Sequence, residues 1–448
     1  MRHAGQFIDA LKMFDRAIAI DPLMVAAWYG RAQTQEMSGD LADASQSFQR
    51  VCDISPGTAP GFAGLACVQA RLANMVGATA NAARAAAIAP DAFGTILARV
   101  RCDLAAGNYR EAVKWLRRLE TRTGLAAEDR ITALGLLGDA LDGLGDIERA
   151  YDSYARANAL FLKSHEMPNS GHSIRSVIVD VERTLASLAT PDKPNNGEPR
   201  HPHAAAHVFL LGFPRSGNTL VEQILATVPG VQTTEEAPTI GPSHWAYFSE
   251  IGISDFWRLD DAELERLRTA YWEVAARHGV TRGKGTYVDM DPFKGAALPL
   301  IARLFPEARI VVLKRDPRDI VWSCFRRNFA YSPATCELAS LTRAAHYFAA
   351  VMRLIERSAE VFDLHIHTLH YEDLVSNFDT TTQRLCGFLG LPWAEEMRNF
   401  PVTAQGRSVR TASAQQVCKA LFDGSGQWRR YAGHLEPIMP ILEPWIDR

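Results

Sequence analysis

The apolar positions follow two regimes along the chain. Up to Phe161 they recur at helical spacing between short polar breaks, and from His207 onward short apolar runs alternate with helical stretches. In the first regime three columns share one period. Pro22, Pro56 and Pro90 lie 34 residues apart, and Gly5, Gly39 and Gly107 keep that period with Ala73 in the slot between the last two. Ala10, Ala44, Ala78 and Ala112 keep it as well. Such a repeat predicts pairs of amphipathic helices. A small residue sits in the turn between the two, the alanine lets the second helix pack close to the first, and proline ends the pair. Phe14 and Phe48 fall in register as core residues of the second helix. The sequence opens inside a repeat, with its second helix at Gly5–Asp21. Gly138, Gly145, Ala150, Tyr154 and Ala157 form a last copy, displaced by a longer loop around Thr121–Asp129.

Val177, Val181 and Leu185 predict one more helix over Ile174–Leu188, and Thr190–His203, rich in Pro, Asn and His, reads as a linker. The runs His207–Leu211, Thr286–Asp289, Arg309–Leu313 and Leu364–Leu369, separated by helical stretches, predict an α/β domain with a parallel sheet. The expected division is a repeat domain over 1–162, a helix and linker over 163–204, and an α/β domain over 205–448.

Composition narrows the partners. With 47% apolar and 22% charged residues the chain is globular, and its formal net charge of −3 argues against a nucleic-acid binder. No run approaches the ~18 apolar residues of a membrane span. Met1–Asp9 lacks the apolar core of a secretory signal. Seven cysteines without a Cys-x-x-Cys pair fit reduced thiols and a cytoplasmic location better than a zinc site.

The candidate chemistry begins where the first run enters Gly212-Phe213-Pro214-Arg215-Ser216-Gly217-Asn218-Thr219, ahead of a helix near Leu220. Strand, glycine-bearing loop and helix N-terminus make an anion cradle of backbone N–H groups, to which Arg215 adds a charge and Ser216, Asn218 and Thr219 add donors. The Lys-Ser/Thr of an ATP-type loop is missing, which argues against a kinase. A second cluster follows the Arg309 run: Arg315, then Asp316-Pro317-Arg318-Asp319 opening a helix expected to reach Phe329. On that helix Ser323 and Arg327 are four residues apart and share a face, so that with Arg315 they suit a second phosphate.

Two family resemblances follow from these residues. Trp28, Ala32, Gly39, Ala44, Phe48 and Pro56 stand as in the tetratricopeptide repeat, which implies an α-solenoid and a peptide or protein partner on its concave face. Pro-Arg-Ser-Gly-x-Thr at Pro214–Thr219 and Arg-Asp-Pro-Arg-Asp at Arg315–Asp319 resemble the two phosphate motifs of the sulfotransferases, chiefly the tyrosylprotein and bacterial repeat-fused kinds. The second resemblance implies a P-loop-like fold, 3′-phosphoadenosine 5′-phosphosulfate as donor, and no metal. Thr233–Pro238 resembles the family's Glu-Glu segment with Glu236 as base, and His244 is a fallback base. Tyr371–Leu374 matches its Tyr-Glu-Asp-Leu. Thr411–Val417, with Ser413, and Gly426–Tyr431 resemble its nucleotide-covering segment.

The resemblance departs at Met290, where relatives often carry a lysine near the departing oxygen. Lys294 is the first candidate to supply that charge, Lys284 the second, and no replacement the third. The catalytic set is then Glu236, Arg215 and Lys294, with Arg215, Ser216, Gly217, Asn218, Thr219, Arg315, Ser323, Arg327, Tyr371 and Ser413 on the donor. The acceptor hydroxyl is left open, with a protein among the candidates. The competing reading is a scaffold that keeps the nucleotide on a degenerate domain.

Overall fold

The computed structural model describes residues 3–165, 173–187, 206–281, 283, 285–405, 421 and 423–446. They form two compact units, one made of the described residues up to 165 together with Arg326–Ala330, the other of the remainder.

The first unit is a run of helices: α1 (His3–Ile20), α2 (Val25–Ser38), α3 (Leu41–Ile54), α4 (Ala59–Arg71), α5 (Met75–Ile88), α6 (Phe93–Ala105), α7 (Tyr109–Glu120), α8 (Ala127–Gly143) and α9 (Ile147–Ser164). They pair as the 34-residue period requires. Each hairpin turns through one residue in the left-handed region: Gly39 at φ 85°, Ala73 at φ 59°, Gly107 at φ 75° and Gly145 at φ 79°. Ala73 thus takes a conformation that favours glycine. The alanine column is closed to solvent at Ala44, Ala78, Ala112 and Ala150, which leaves no room for a larger side chain. Phe48 is buried, an apolar gain of about 1.5–3 kcal/mol. A Cβ added at Gly64 would meet its ring at 2.3 Å, so the bare backbone there seats the aromatic. Within this unit Arg326 forms ion pairs with Asp139 and Asp142 of α8.

The second unit comprises α10 (Ile174–Ser187), β1 (Ala206–Leu211), α11 (Asn218–Leu225), β2 (Val231–Glu235), α12 (Gly241–Tyr247), α13 (Glu250–Trp257), α14 (Asp261–Arg277), β3 (Thr286–Met290), α15 (Leu298–Leu304), β4 (Arg309–Lys314), α16 (Pro317–Phe325), α17 (Pro333–Leu338), α18 (Leu341–Phe362) and β5 (Ile366–His370), followed by short helices. The five strands form one parallel sheet in the order β2-β3-β1-β4-β5. From β1 the chain moves outward to β2, returns through β3 to β1, and crosses to β4 on the other side. The order therefore reverses beside β1, and in such sheets ligands bind at the carboxyl ends of the strands flanking that reversal. Val208, Phe209, Leu210 and Leu211 of β1 are fully buried, as a central parallel strand with helices on both faces must be.

Three features differ from the sequence expectation. The segment Val231–Glu235 is a fifth strand, on the sheet edge, where a polar sequence is tolerated. Helix α10 groups with the second unit, packs on α18, and buries Ile178, Val181 and Leu185, so it is part of that domain and not of a connecting segment. Helix α16 stops at Phe325 and not at Phe329; the next residue, Arg326, is ion-paired with Asp139 and Asp142. The linker Thr190–His203 lies outside the described residues. Among the described residues no helix is long and apolar enough to cross a membrane.

Candidate active site

Five segments leave the carboxyl ends of the five strands, and the sequence-predicted residues of the second unit sit on them. After β1 the loop turns through Arg215 at φ 72° and Gly217 at φ 109° before α11 begins at Asn218. Only glycine suits position 217: a Cβ there would also fall 2.9 Å from the Tyr371 ring. Ser216 is fully buried and its hydroxyl accepts from the Phe213 N–H at 3.3 Å, tying the loop to itself. Asn218 is 4% exposed, yet neither its Oδ1 nor its Nδ2 has a hydrogen-bond partner. A buried amide left unsatisfied at a helix N-terminus is costly. Thr219 follows it, also buried.

The segment after β4 meets this loop. Arg215 donates from Nε to Ser323 Oγ at 2.9 Å. Arg315 donates from Nη1 to the Arg215 carbonyl at 3.0 Å and from Nη2 to the Gly424 carbonyl at 2.7 Å, with its guanidinium 4.4 Å from the Tyr371 ring centroid. Its buried Nε has no partner. Tyr371 accepts from the Gly424 N–H at 3.2 Å; burial raises the pKa of its phenol, opposed by the Arg315 charge and by that hydrogen bond. Asp316 caps α16 by accepting from the Arg318 N–H, and Arg318 lies over the Trp428 ring. Asp319 accepts from the N–H groups of Gly426 and Trp428, at 2.6 and 2.9 Å. Trp322 stacks on Tyr431 at 3.7 Å. The strap Gly424–Tyr431 is thereby latched to α16.

These contacts bring Arg215, Ser323, Arg315 and Tyr371 together. Arg327 lies past the end of α16, which stops at Phe325, so helical spacing from Ser323 does not carry its placement; its buried Nε has no hydrogen-bond partner. Ser413 and the rest of Thr411–Val417 lie outside the described residues, as does Lys284.

Glu236 follows β2. Its backbone sits at φ 52°, and its N–H donates to the Met290 carbonyl at 2.7 Å, which ties the end of β2 to the end of β3. The side chain is open to water, yet protein crowds it closely, as for a carboxylate set in a depression. That desolvation, reinforced by the negative charge of Asp291 and Glu235 and opposed by Lys294, pushes its pKa up to about 8. His244 is a different environment: burial lowers its pKa to about 4, and its ring stacks on Phe248 at 4.5 Å.

Met290 is wholly buried at the end of β3. Lys294 is fully buried too, and its ammonium is committed: it donates to Asp289 Oδ1 at 2.5 Å and to the Ala237 carbonyl at 2.8 Å. Asp289 Oδ2 accepts from Thr239 Oγ1 at 2.6 Å and from the Tyr271 hydroxyl at 2.7 Å. Tyr271 in turn meets His207 Nε2 at 2.8 Å, and burial pushes the His207 pKa down to about 3. Sequence reasoning missed Asp289, Thr239, Tyr271 and Asp319. The one legible signal was an aspartate inside the apolar run Tyr287-Val288-Asp289-Met290. Among the described residues no group of three or more His, Cys, Asp or Glu is arranged to hold a metal ion.

The fold and the site define a helical, repeat-like N-terminal region followed by a sulfotransferase domain built on a five-stranded parallel sheet. Residues 207–395 match the sulfotransferase family, a span that runs from β1 past Tyr371. The chain is 26% identical over 351 residues to an uncharacterized protein of Aquifex aeolicus (strain VF5), covering 74% of this chain and 44% of that one. It is 27% identical over 239 residues to protein-tyrosine sulfotransferase 1 of Danio rerio, covering 51% of this chain and 63% of the relative. The alignments thus span about half the length of these relatives. Among solved structures, the sulfotransferase domain of the Synechococcus PCC 7002 olefin synthase aligns with a TM-score of 0.40 at 20% identity, over 55% of this chain and 97% of that domain.

Proposed function

We propose that the chain is a sulfotransferase that uses 3′-phosphoadenosine 5′-phosphosulfate and sulfates an acceptor hydroxyl. The single observation that carries this reading is the joining of two anion-binding segments at one place on the sheet, through the Arg215–Ser323 bond and Arg315. The residues fit the donor. The unsatisfied Asn218 amide, the left-handed loop and the N-terminus of α11 suit its 5′-phosphosulfate, and Arg315 with its free Nε suits its 3′-phosphate. When bound, the donor supplies the sulfuryl group and a phosphate oxygen as leaving group.

The chain's own residues supply the rest. Glu236 takes the acceptor's hydroxyl proton onto its carboxylate as the acceptor oxygen bonds to sulfur and the bond from sulfur to the phosphate oxygen breaks. Arg215 and the loop N–H groups face the charge that builds on the transferring group. Tyr371 and the latched strap close over the nucleotide and keep water out. The relatives named protein-tyrosine sulfotransferases favour a hydroxyl on a protein as acceptor, and the repeats are read as the surface that recruits that acceptor or a partner. The free thiols of Cys52, Cys67, Cys102, Cys324, Cys336 and Cys386 suit the reduced cytoplasm.

A second reading rests on Met290 and the committed Lys294, the only described residues the sequence offered for the departing oxygen's lysine: the domain binds the nucleotide and transfers slowly or not at all, as a scaffold. Transfer of labelled sulfate from the donor into a lysate of the source cell tests the two. A labelled acceptor that disappears with Glu236→Gln supports the enzyme, and tight nucleotide binding without label supports the scaffold.

A further inference from the structure

A buried ion pair is a poor source of net stability. Desolvating both charges offsets most of their attraction, so two well-packed apolar residues would serve folding as well. Lys294 and Asp289 are both fully buried and are paired at 2.5 Å. What the pair holds is informative. Lys294 Nζ donates to the Ala237 carbonyl and Asp289 accepts from Thr239 Oγ1, so the two charges grip the residues one and three positions beyond Glu236. On the other side, the Glu236 N–H is bound by the Met290 carbonyl. Between these anchors Glu236 takes φ 52°, a conformation a glutamate keeps only where its surroundings impose it.

The same geometry leaves Lys294 without access to a departing phosphate. It has no solvent-exposed surface, and two of its three N–H bonds are spent on protein oxygens. Tyr271 completes the grip. Its hydroxyl donates to Asp289 and so accepts from His207 Nε2, which a neutral imidazole protonated at Nε2 satisfies. The depressed His207 pKa keeps the imidazole neutral over the physiological range.

We propose that Lys294 is a positioning residue: with Asp289 it clamps the Ala237–Thr239 segment, holds the strained backbone that presents Glu236, and does not touch the leaving group. This rests on Glu236 being the base proposed above. The clamp has an electrostatic corollary. Among the described residues, the charged groups that face Glu236 are Glu235 from β2, Asp291 at the start of the 3-10 helix Pro292–Ala297, and Lys294 within it. Lys294 is the one of these that favours the ionised base, and Asp289 spends part of its charge.

The test compares pH–rate profiles of the wild type, Lys294→Met, Lys294→Gln and the double variant Lys294→Met/Asp289→Asn, with donor affinity measured alongside. A thermal melt checks folding, and Lys294→Gln, which can still donate to Ala237, carries the test where Lys294→Met does not fold. Removing the cation alone should raise the midpoint of the ascending limb by about one pH unit, the scale of losing a nearby opposite charge. Donor affinity should stay within about twofold, a negligible change in binding energy. The double variant should bring the midpoint back toward the wild-type value and recover most of the lost rate. A single variant with an unmoved midpoint and weakened donor binding overturns the proposal, as does a double variant as slow as the single, because either result places the ammonium on the donor. A wild type that transfers sulfate to no acceptor sinks the functional reading separately. In that case the Glu236 carboxyl, titrated by carbon-13 NMR in the wild type and in Lys294→Gln, decides the clamp alone: a higher pKa in the variant supports it and an unchanged one refutes it.

Discussion

Arg215 and Ser323 are 108 residues apart in sequence and share a hydrogen bond of 2.9 Å from Nε to Oγ. The bond fixes the arginine of the loop after β1 against the helix after β4, so one anion loop orients the other. Ser323→Ala should remove this bond to the guanidinium and cost roughly 0.5–1.5 kcal/mol of nucleotide affinity, the usual net worth of one hydrogen bond. Calorimetric titration with adenosine 3′,5′-bisphosphate measures it, and an affinity equal to wild type would remove Ser323 from the site.

Arg315 holds two carbonyls and keeps Nε free. If that guanidinium reads the 3′-phosphate, Arg315→Ala should lower affinity for the bisphosphate by roughly 1.5–3 kcal/mol, the scale of a hydrogen bond to a charged group. Adenosine 5′-phosphate, lacking the 3′-phosphate, should lose much less. Parallel titrations give the ratio, and equal losses would reduce Arg315 to a strap-holding residue.

Glu236→Gln keeps the shape and removes the proton acceptor. Turnover should drop ~10²-fold or more, a typical share for general-base catalysis, with donor affinity little changed. Its raised pKa also sets a pH dependence. The unfolded chain ionises this group from its ordinary 4.5 upward, whereas the folded chain keeps the proton until about 8, so wild-type stability is lost across that interval as pH rises. Melting curves should therefore show Glu236→Gln more stable than wild type at pH 8.5 and equal to it near pH 4.

Much of the fold was legible because periodicity reports burial directly. The 34-residue columns placed the repeat hairpins, and the apolar run ending in Gly212 placed β1 and the anion loop. What escaped were features set by tertiary partners. Val231–Glu235 is polar because a sheet edge does not demand apolar residues on both faces, so nothing in its pattern marked a strand. Arg327 was placed by helical spacing from Ser323, but α16 ends at Phe325, two residues short of it, with no glycine or proline there to mark the end. Lys294 was read from the sequence as the charge for the departing oxygen, and nothing local marked Asp289, five residues earlier, as its buried partner.

Ala73 stands where the other hairpins carry glycine, at φ 59°. The left-handed region costs a residue with a Cβ roughly 1–2 kcal/mol, partly offset in any exchange by the entropy glycine loses on folding. Ala73→Gly should leave a net gain of a few tenths to about 1 kcal/mol in the repeat unit. Chemical denaturation followed by circular dichroism reads it, and a destabilised variant would contradict the strain assigned to this turn.

The central claim is that the carboxyl edge of the sheet is built for a 3′-phosphorylated adenosine nucleotide. A competitive calorimetric titration of the wild type with adenosine 3′,5′-bisphosphate and with ATP tests it most directly. The account predicts that the bisphosphate binds at least ~10-fold more tightly, a difference of about 1.4 kcal/mol, and that ATP is displaced by it. ATP bound as tightly as the bisphosphate, or neither nucleotide bound, would contradict it.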